Sequence, residues 1–278
     1  MEVALRAMDA SFHVKLIGTF HPSLLCAPAE APAQSWLRDN PSDFDQFPVK
    51  ENGKVVGLLL RNLVSAGKSV KEVMSPIADG LVVSADMPIG ELIPRLNLCD
   101  HRLIVRGDSI EGLVTQSDLL KLPVRLLLFA LVTHLEQIMA TLIGAWWPRD
   151  SWLSCLAVGR LAKVNEKEAT LRGQGMNPPK IELLEFGDKR DLCRRRLDRE
   201  RGRFKNDLEA LGRLRDQLAH AATFIDNAHQ AGGVSALVAN FDAARYWIAT
   251  LSQIELPNSG ALLFQDVPQM EPLTERGV

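Results

Sequence analysis

One pattern occurs twice in the first half of this chain and limits what it can fold into. A short apolar run leads through a polar turn carrying glycine into a second apolar run, and then into a helical stretch. In the first copy Phe47-Pro48-Val49 passes through Glu51-Asn52-Gly53-Lys54 into Val55-Val56-Gly57-Leu58-Leu59, with residues 61–65 reading as helical. In the second, Leu103-Ile104-Val105 passes through Arg106-Gly107-Asp108-Ser109 into Ile110-Glu111-Gly112-Leu113-Val114, followed by residues 117–120. Glycine-bearing polar turns between apolar runs are hairpin signals. Two copies about 55 residues apart form an internal repeat, so the first half is expected to be a pair of α/β units.

After Leu122 proline becomes sparse and the period becomes helical. Leu128, Leu131, Val132, Leu135, Ile138, Met139 and Leu142 follow the spacing of one buried helical face. Further helices are expected over 152–170, 179–190, 192–214, 218–230 and 234–254, with the loop Gly173-Gln174-Gly175-Met176-Asn177-Pro178 between two of them. The reading is an α/β repeat pair over 15–122, an all-α bundle over 123–256, and a mobile tail over 257–278.

At 278 residues there is length for two cores, and 46% apolar with 24% charged residues is typical of soluble globular proteins. Cys26, Cys99, Cys155 and Cys193 are scattered, with no CxxC and no zinc-type Cys/His spacing. They suggest a reducing cytosol, and neither a disulfide framework nor a structural metal. The first ten residues lack the continuous apolar core of a signal peptide. Residues 126–147 are apolar, but Glu136 lies in their middle, where a charge at mid-bilayer would cost roughly 3 kcal/mol. A buried amphipathic helix is expected there, in a cytoplasmic protein with no membrane partner.

The second repeat carries the first chemistry. A strand ending Gly112-Leu113-Val114-Thr115 enters a helical turn near Ser117-Asp118. A hydroxyl and a carboxylate three residues apart at that junction are able to hold the two hydroxyls of a ribose, and both are also ordinary N-capping residues. The pattern G-h-h-T-x-x-D, with h apolar, resembles the second half of a CBS (cystathionine β-synthase) repeat. The strand His101-Arg102-Leu103-Ile104-Val105 is similar to the H-R-h-h-V strand of the regulatory γ subunit of the AMP-activated kinase. The resemblance implies Thr115 and Asp118 on ribose, His101 and Arg102 near phosphate, and the backbone around Leu81, Val82 and Val83 beside adenine. It implies AMP, ADP, ATP or S-adenosylmethionine as a regulatory ligand. In the first repeat Leu60 and Leu63 stand where Thr and Asp would sit, so one site is expected rather than two.

The helical half carries a second motif. Arg215 and His220 in Leu-Arg-Asp-Gln-Leu-Ala-His-Ala-Ala have four residues between them, and the stretch Glu-Phe-Gly-Asp-Lys-Arg-Asp-Leu at 185–192 precedes them. This resembles the R-x4-6-H motif of HEPN domains, helical bundles that include metal-independent ribonucleases. The resemblance implies His220 as acid or base, Arg215 on the phosphoryl oxygens and Asp216 orienting either, with no catalytic metal. Five residues on a straight helix leave the pair about 140° apart, and facing motifs in a dimer would relax that geometry. Arg6 with His13 and Arg95 with His101 satisfy the same spacing outside any helical domain. A histidine packed between helices beside an ordinary surface arginine is the other reading.

From Lys189 to Lys205 nine basic residues stand against three acidic ones, a net +6 within a chain of −2. Arg194, Arg195, Arg196, Arg199, Arg201 and Arg203 are the expected contacts to an RNA backbone, tRNA or mRNA. A solvated helix laced with pairs such as Arg194–Asp198 fits the run equally. Two functions are open: a nucleotide-regulated ribonuclease, or a non-catalytic adenine-nucleotide regulator whose helical half dimerises or binds a partner. Both resemblances imply a homodimer.

Overall fold

A computed structural model describes residues 10–78, 80–197, 199–219 and 233–256. Asp198, His220 and the expected tail at 257–278 lie outside the described residues. Two compact units divide the chain: residues 1–135 with 202–248, and residues 136–201 with 249–278. This is a different division from the boundary at 122/123 suggested by the change of period. The first unit takes in helical segments far down the chain as well as the repeats.

In the first unit the repeats are laid out as expected. Strand β1 (Thr19–Phe20) leads into a first repeat of β2 (Ala27–Pro28), α1 (Ala33–Asp39), β3 (Gln46–Glu51), β4 (Lys54–Leu60) and α2 (Val70–Val73), and β5 (Ser75–Pro76) leads into the second. The second contains β6 (Val82–Ser84), α3 (Ile89–Leu98), β7 (His101–Arg106) and β8 (Ser109–Thr115). Short 3-10 turns, Arg61–Leu63 and Gln116–Leu120, follow β4 and β8. The hairpins close as their turn residues dictate. Asn52 and Gly53 both take positive φ, 50° and 81°, as a type I′ turn requires, whereas the second turn places Gly107 at φ 63°. Each hairpin shifts register at the equivalent point, between Val49 and Lys50 and between Ile104 and Val105.

The two sheets exchange strands. Their orders are β1-β8-β7-β6 and β2-β3-β4-β5, so β1, ahead of the first repeat, completes the sheet of the second. Correspondingly β5 pairs with β4. This crossing explains the glycine shared by both repeats. A Cβ on Gly112 would lie 2.8 Å from the Phe20 ring and 3.0 Å from the Thr19 carbonyl oxygen. One on Gly57 would lie 2.7 Å from both Met74 Sδ and the Ser75 carbonyl oxygen. In each repeat glycine stands where the incoming strand passes over the hairpin.

Alternate residues of these strands face apolar cores. One joins Ala27, Ala33, Phe47, Val49, Leu59 and Val70; another joins Leu24, Leu58, Leu103 and Leu113. Each fully buried large aliphatic or aromatic side chain contributes about 1.5–3 kcal/mol. Helix α4 (Leu122–Trp146) follows, and Leu128, Leu131, Val132, Leu135, Ile138, Met139 and Leu142 are all buried, as their spacing predicts. It is long and apolar enough to cross a membrane, and 56% of its most apolar window is buried inside the protein.

Helices α5 (Val158–Gly173), α6 (Phe186–Arg196), α7 (Arg201–Ala219) and α8 (Gly233–Ser252) complete the described elements. In the first unit α7 meets α8 through Phe204 and Trp247, edge to face at 4.9 Å, and Trp247 Nε1 donates to Asp207 Oδ2 at 2.8 Å. Ser235 of α8 bonds Asn97 of α3 at 3.0 Å, and Arg125 donates to the Leu218 carbonyl at 2.9 Å. In the second unit Lys189 Nζ donates to Glu136 Oε1 at 2.7 Å, both side chains being buried. The mid-helix charge of α4 is therefore neutralised by a lysine 53 residues away. Breaking such a pair by removing one partner costs about 3–5 kcal/mol.

The single helix expected over 192–214 is two. The α6 helix ends at Arg196, Leu197 is extended, and Glu200 takes a left-handed φ of 55°. Residues 197–200 contain neither glycine nor proline, so the break has no local sequence signal. Residues 152–170 likewise divide, into a 3-10 segment Pro148–Cys155 and α5.

Candidate functional site

At the end of β8, Thr115 is extended and caps the 3-10 turn that follows. Asp118 reaches back: its Oδ2 accepts the Thr115 N–H at 2.6 Å and the Thr115 hydroxyl at 3.2 Å. Its Oδ1 lies 2.6 Å from Lys121 Nζ, which also donates to the Ile17 carbonyl. A carboxylate offers about four acceptor positions. Three are taken here, which leaves room for a hydroxyl from outside, and Thr115 Oγ1 keeps its own lone pairs. The capping role and the ribose-binding role are thus held by one pair of side chains.

That pair opens on a cavity of about 430 Å3, lined by Leu24, Leu25, Phe44 and Leu113 among the apolar residues and by Gln46, Gln116 and Ser117 among the polar ones. Its volume is within the usual range for small-molecule sites. Strand exchange builds it: because β1 pairs with β8, the segment just after β1 comes beside Thr115. Its acidic lining is pronounced, with Asp43, Asp45 and Asp100 joining Asp118, and among the described residues no basic side chain lines it. The loop carrying Asp43 to Asp45 is pinned by Arg61, which donates to the carbonyls of Ser42 at 2.7 Å and Phe44 at 2.9 Å. Arg61 stands at the end of β4 in the first repeat, at the position Gln116 holds in the second.

The remaining expected ligand contacts lie elsewhere. Leu81 and Val82 pack against the core of Leu58, Leu103 and Leu113, and Val83 is buried; none lines this cavity. Leu24, Leu25 and Phe44 of the first repeat supply the apolar wall instead. Sequence reading missed them because only the strand exchange brings them to Thr115. Arg102 is buried and donates to three backbone carbonyls, of Cys99 at 3.1 Å, His101 at 2.7 Å and Arg95 at 2.5 Å. Its guanidinium ties down the end of α3. His101 is buried too, with Nδ1 2.5 Å from Asp100 Oδ1 and Nε2 3.9 Å from Cys99 Sγ.

A second cavity of about 360 Å3 lies at the hairpin turns, lined by His21, Lys50, Arg106, Ser109 and Glu111 among others. Arg106 is stacked over Phe20 at 4.7 Å and lies 3.5 Å from Glu111. Cys26 in its wall has its thiol pushed up by burial, partly offset by nearby Lys50.

Several expected RNA contacts are engaged within the protein. Arg195 donates to the Cys155 carbonyl at 3.1 Å and Arg196 to that of Trp146 at 3.2 Å, both at the ends of helical segments. Arg196 also stacks on Trp147 at 4.8 Å, and Arg201 bonds the Leu197 carbonyl. Arg203 covers Tyr246 at 4.0 Å and lies 3.4 Å from Asp207. Arg194 is half-buried and Arg199 exposed. Of the Arg–His motif, Arg215 is half-buried on α7 and Asp216 exposed, while His220 lies outside the described residues. The 185–192 stretch caps α6: Asp188 accepts the Glu185 N–H at 3.0 Å and binds Arg160 of α5.

The model of the CBS domain family matches residues 70–125, the segment from α2 through β8 into α4. Among solved structures, the CBS domain of the bacterial CNNM/CorC family Mg2+ transporter in complex with ATP is 18% identical, covers 42% of this chain and 89% of that one, and gives a TM-score of 0.35. CBSX2 in complex with AMP is 16% identical over 41% of this chain and 98% of that one, with a TM-score of 0.36. An uncharacterized conserved protein from Pyrococcus horikoshii is 21% identical over 40% and 91%, at 0.34. No curated protein matches the chain. The matched segment is the one that carries β6, α3, the β7–β8 hairpin and the Thr115–Asp118 turn: residues 70–125 are a CBS domain.

Proposed function

We propose that this chain is a non-catalytic regulatory protein whose repeat pair binds an adenosine compound in the 430 Å3 cavity. One observation carries the reading: a buried carboxylate and a hydroxyl, Asp118 and Thr115, share a cavity with an apolar wall of Leu24, Leu25 and Phe44. A ribose diol suits the first pair, and a purine face suits the second. AMP, ADP, ATP and S-adenosylmethionine all carry that moiety. The first repeat has no matching clamp, because Leu60 and Leu63 offer no hydrogen bond. Among the described residues no observation favours RNA cleavage, since Arg195, Arg196, Arg201 and Arg203 are held by carbonyls, rings or Asp207.

Calorimetric titration of the full chain with adenosine, AMP, ADP, ATP and S-adenosylmethionine tests this. One ligand per chain is expected for at least one of them. Absence of binding by all five would overturn the reading.

A further inference from the structure

At the start of β7 three donors of the kind that hold transition metals lie together. Cys99, Asp100 and His101 bring a sulfur, a carboxylate oxygen and a ring nitrogen within 4.8 Å of one another. Convergence of three consecutive side chains is unusual, because extended residues alternate sides. Cys99 is extended, at φ −152° and ψ 128°, and its Sγ lies 3.9 Å from His101 Nε2. Asp100 then turns to His101 Nδ1, at 2.5 Å, and closes the group. His101 is buried and Cys99 half-buried, so neither is a freely waving surface ligand.

We propose that Cys99 Sγ and His101 Nε2, 3.9 Å apart, bind a divalent cation of the zinc class in the wall of the acidic cavity, with Asp100 holding the imidazole through Nδ1. The donor set decides the class. A thiolate with an imidazole selects borderline-soft ions such as Zn2+ or Co2+ over Mg2+ or Ca2+, which prefer oxygen alone. Binding needs the thiolate, so the Cys99 thiol releases one proton to solvent while the imidazole stays neutral. Two protein donors leave a tetrahedral ion two open positions for water or a ligand oxygen. Asp100 also lines the 430 Å3 cavity with Asp43, Asp45 and Asp118, a lining whose negative charge favours a cation even with Lys121 against Asp118 and Arg61 against Asp45. The site does not depend on the adenosine reading, and the metal alone tests it.

Titrating the reduced full chain with Co2+ reads the site directly. A near-ultraviolet thiolate-to-cobalt band and visible bands of tetrahedral intensity are expected at one equivalent, displaced by Zn2+. Cys99→Ser removes the thiolate band, whereas Cys26→Ser and Cys155→Ser keep it. Asp100→Asn, which loosens the hold on the His101 ring, weakens binding by roughly tenfold or more. Circular dichroism establishes that each variant is folded. Absence of a thiolate band from the wild type, its persistence in folded Cys99→Ser, or unchanged affinity in Asp100→Asn each overturns the proposal.

Discussion

The two repeats have the same frame and different endings. Both have a hairpin with a register shift at the same point, a glycine under an incoming strand, and a 3-10 turn after the second strand. At that turn the second repeat has Thr115 and Asp118, and the first has Leu60 and Leu63. Arg61 adds a further contrast. It points its hydrogen bonds at the Ser42 and Phe44 carbonyls, so the first repeat's own turn shapes the loop that walls the second repeat's cavity. The frame is what the strand exchange demands; the turn residues are free to diverge, and one repeat contributes the clamp while the other contributes the wall.

The shared frame is the part of this comparison with the largest expected effect. Gly57→Ala and Gly112→Ala are each expected to destabilise the protein by about 1–3 kcal/mol, as overpacking does. Gly57→Ala is expected to cost more, because its added carbon meets the Ser75 backbone whereas Gly112 meets a Phe20 ring that has some freedom to turn. Urea midpoints measure both. If one variant were neutral, the two crossings would not be equivalent.

The divergent turns come next. Asp118→Ala is expected to weaken the adenosine ligand by roughly tenfold or more, the cost of losing a hydrogen bond to a charged group being about 1.5–3 kcal/mol. Leu63→Ala, at the equivalent position of the first repeat, is expected to leave affinity within about twofold. Calorimetry on the two variants decides the matter, and equal losses would dissolve the distinction between clamp and wall. Thr115→Val is expected to cost less than Asp118→Ala, about 1 kcal/mol or some fivefold in affinity, because the backbone N–H bond to Asp118 survives.

How much of this was legible follows the range of the interactions involved. The hairpin turns and the spacing of the buried face of α4 are set within a few residues, and the sequence announces them; the glycine pair answers to strands that arrive from far along the chain. The buried partner of Glu136 is Lys189, and the wall of Leu24, Leu25 and Phe44 forms only through strand exchange. Neither has a local signature. The side chains of Leu81 and Val82 pack against the core of Leu58, Leu103 and Leu113. The break at Leu197 to Glu200 lacked punctuation of any kind. Cys99, Asp100 and His101 carry no paired-cysteine or zinc-type spacing, and they meet through one extended residue and a turned aspartate.

The smallest expected effect separates a cap from a clamp. The first repeat has its own capping box on α2, where Glu72 Oε2 accepts the Ser69 N–H at 2.7 Å and the Ser69 hydroxyl at 2.8 Å. It is the same device as Thr115 and Asp118, but its carboxylate is in solvent. The backbone bond from Ser69, then its hydroxyl, holds the Glu72 carboxyl below its ordinary value of 4.5. A carboxyl depressed in the folded state adds stability that is present above the unfolded value and lost as pH falls through the folded one. Wild type should therefore exceed Glu72→Gln in urea midpoint at neutral pH, and the gap should close progressively as pH falls below 4.5. Ligand affinity should not change in Glu72→Gln at any pH where the protein is folded. A fall in affinity as large as that of Asp118→Ala would mean that capping, rather than contact with the ribose, explains what the Asp118 variant loses.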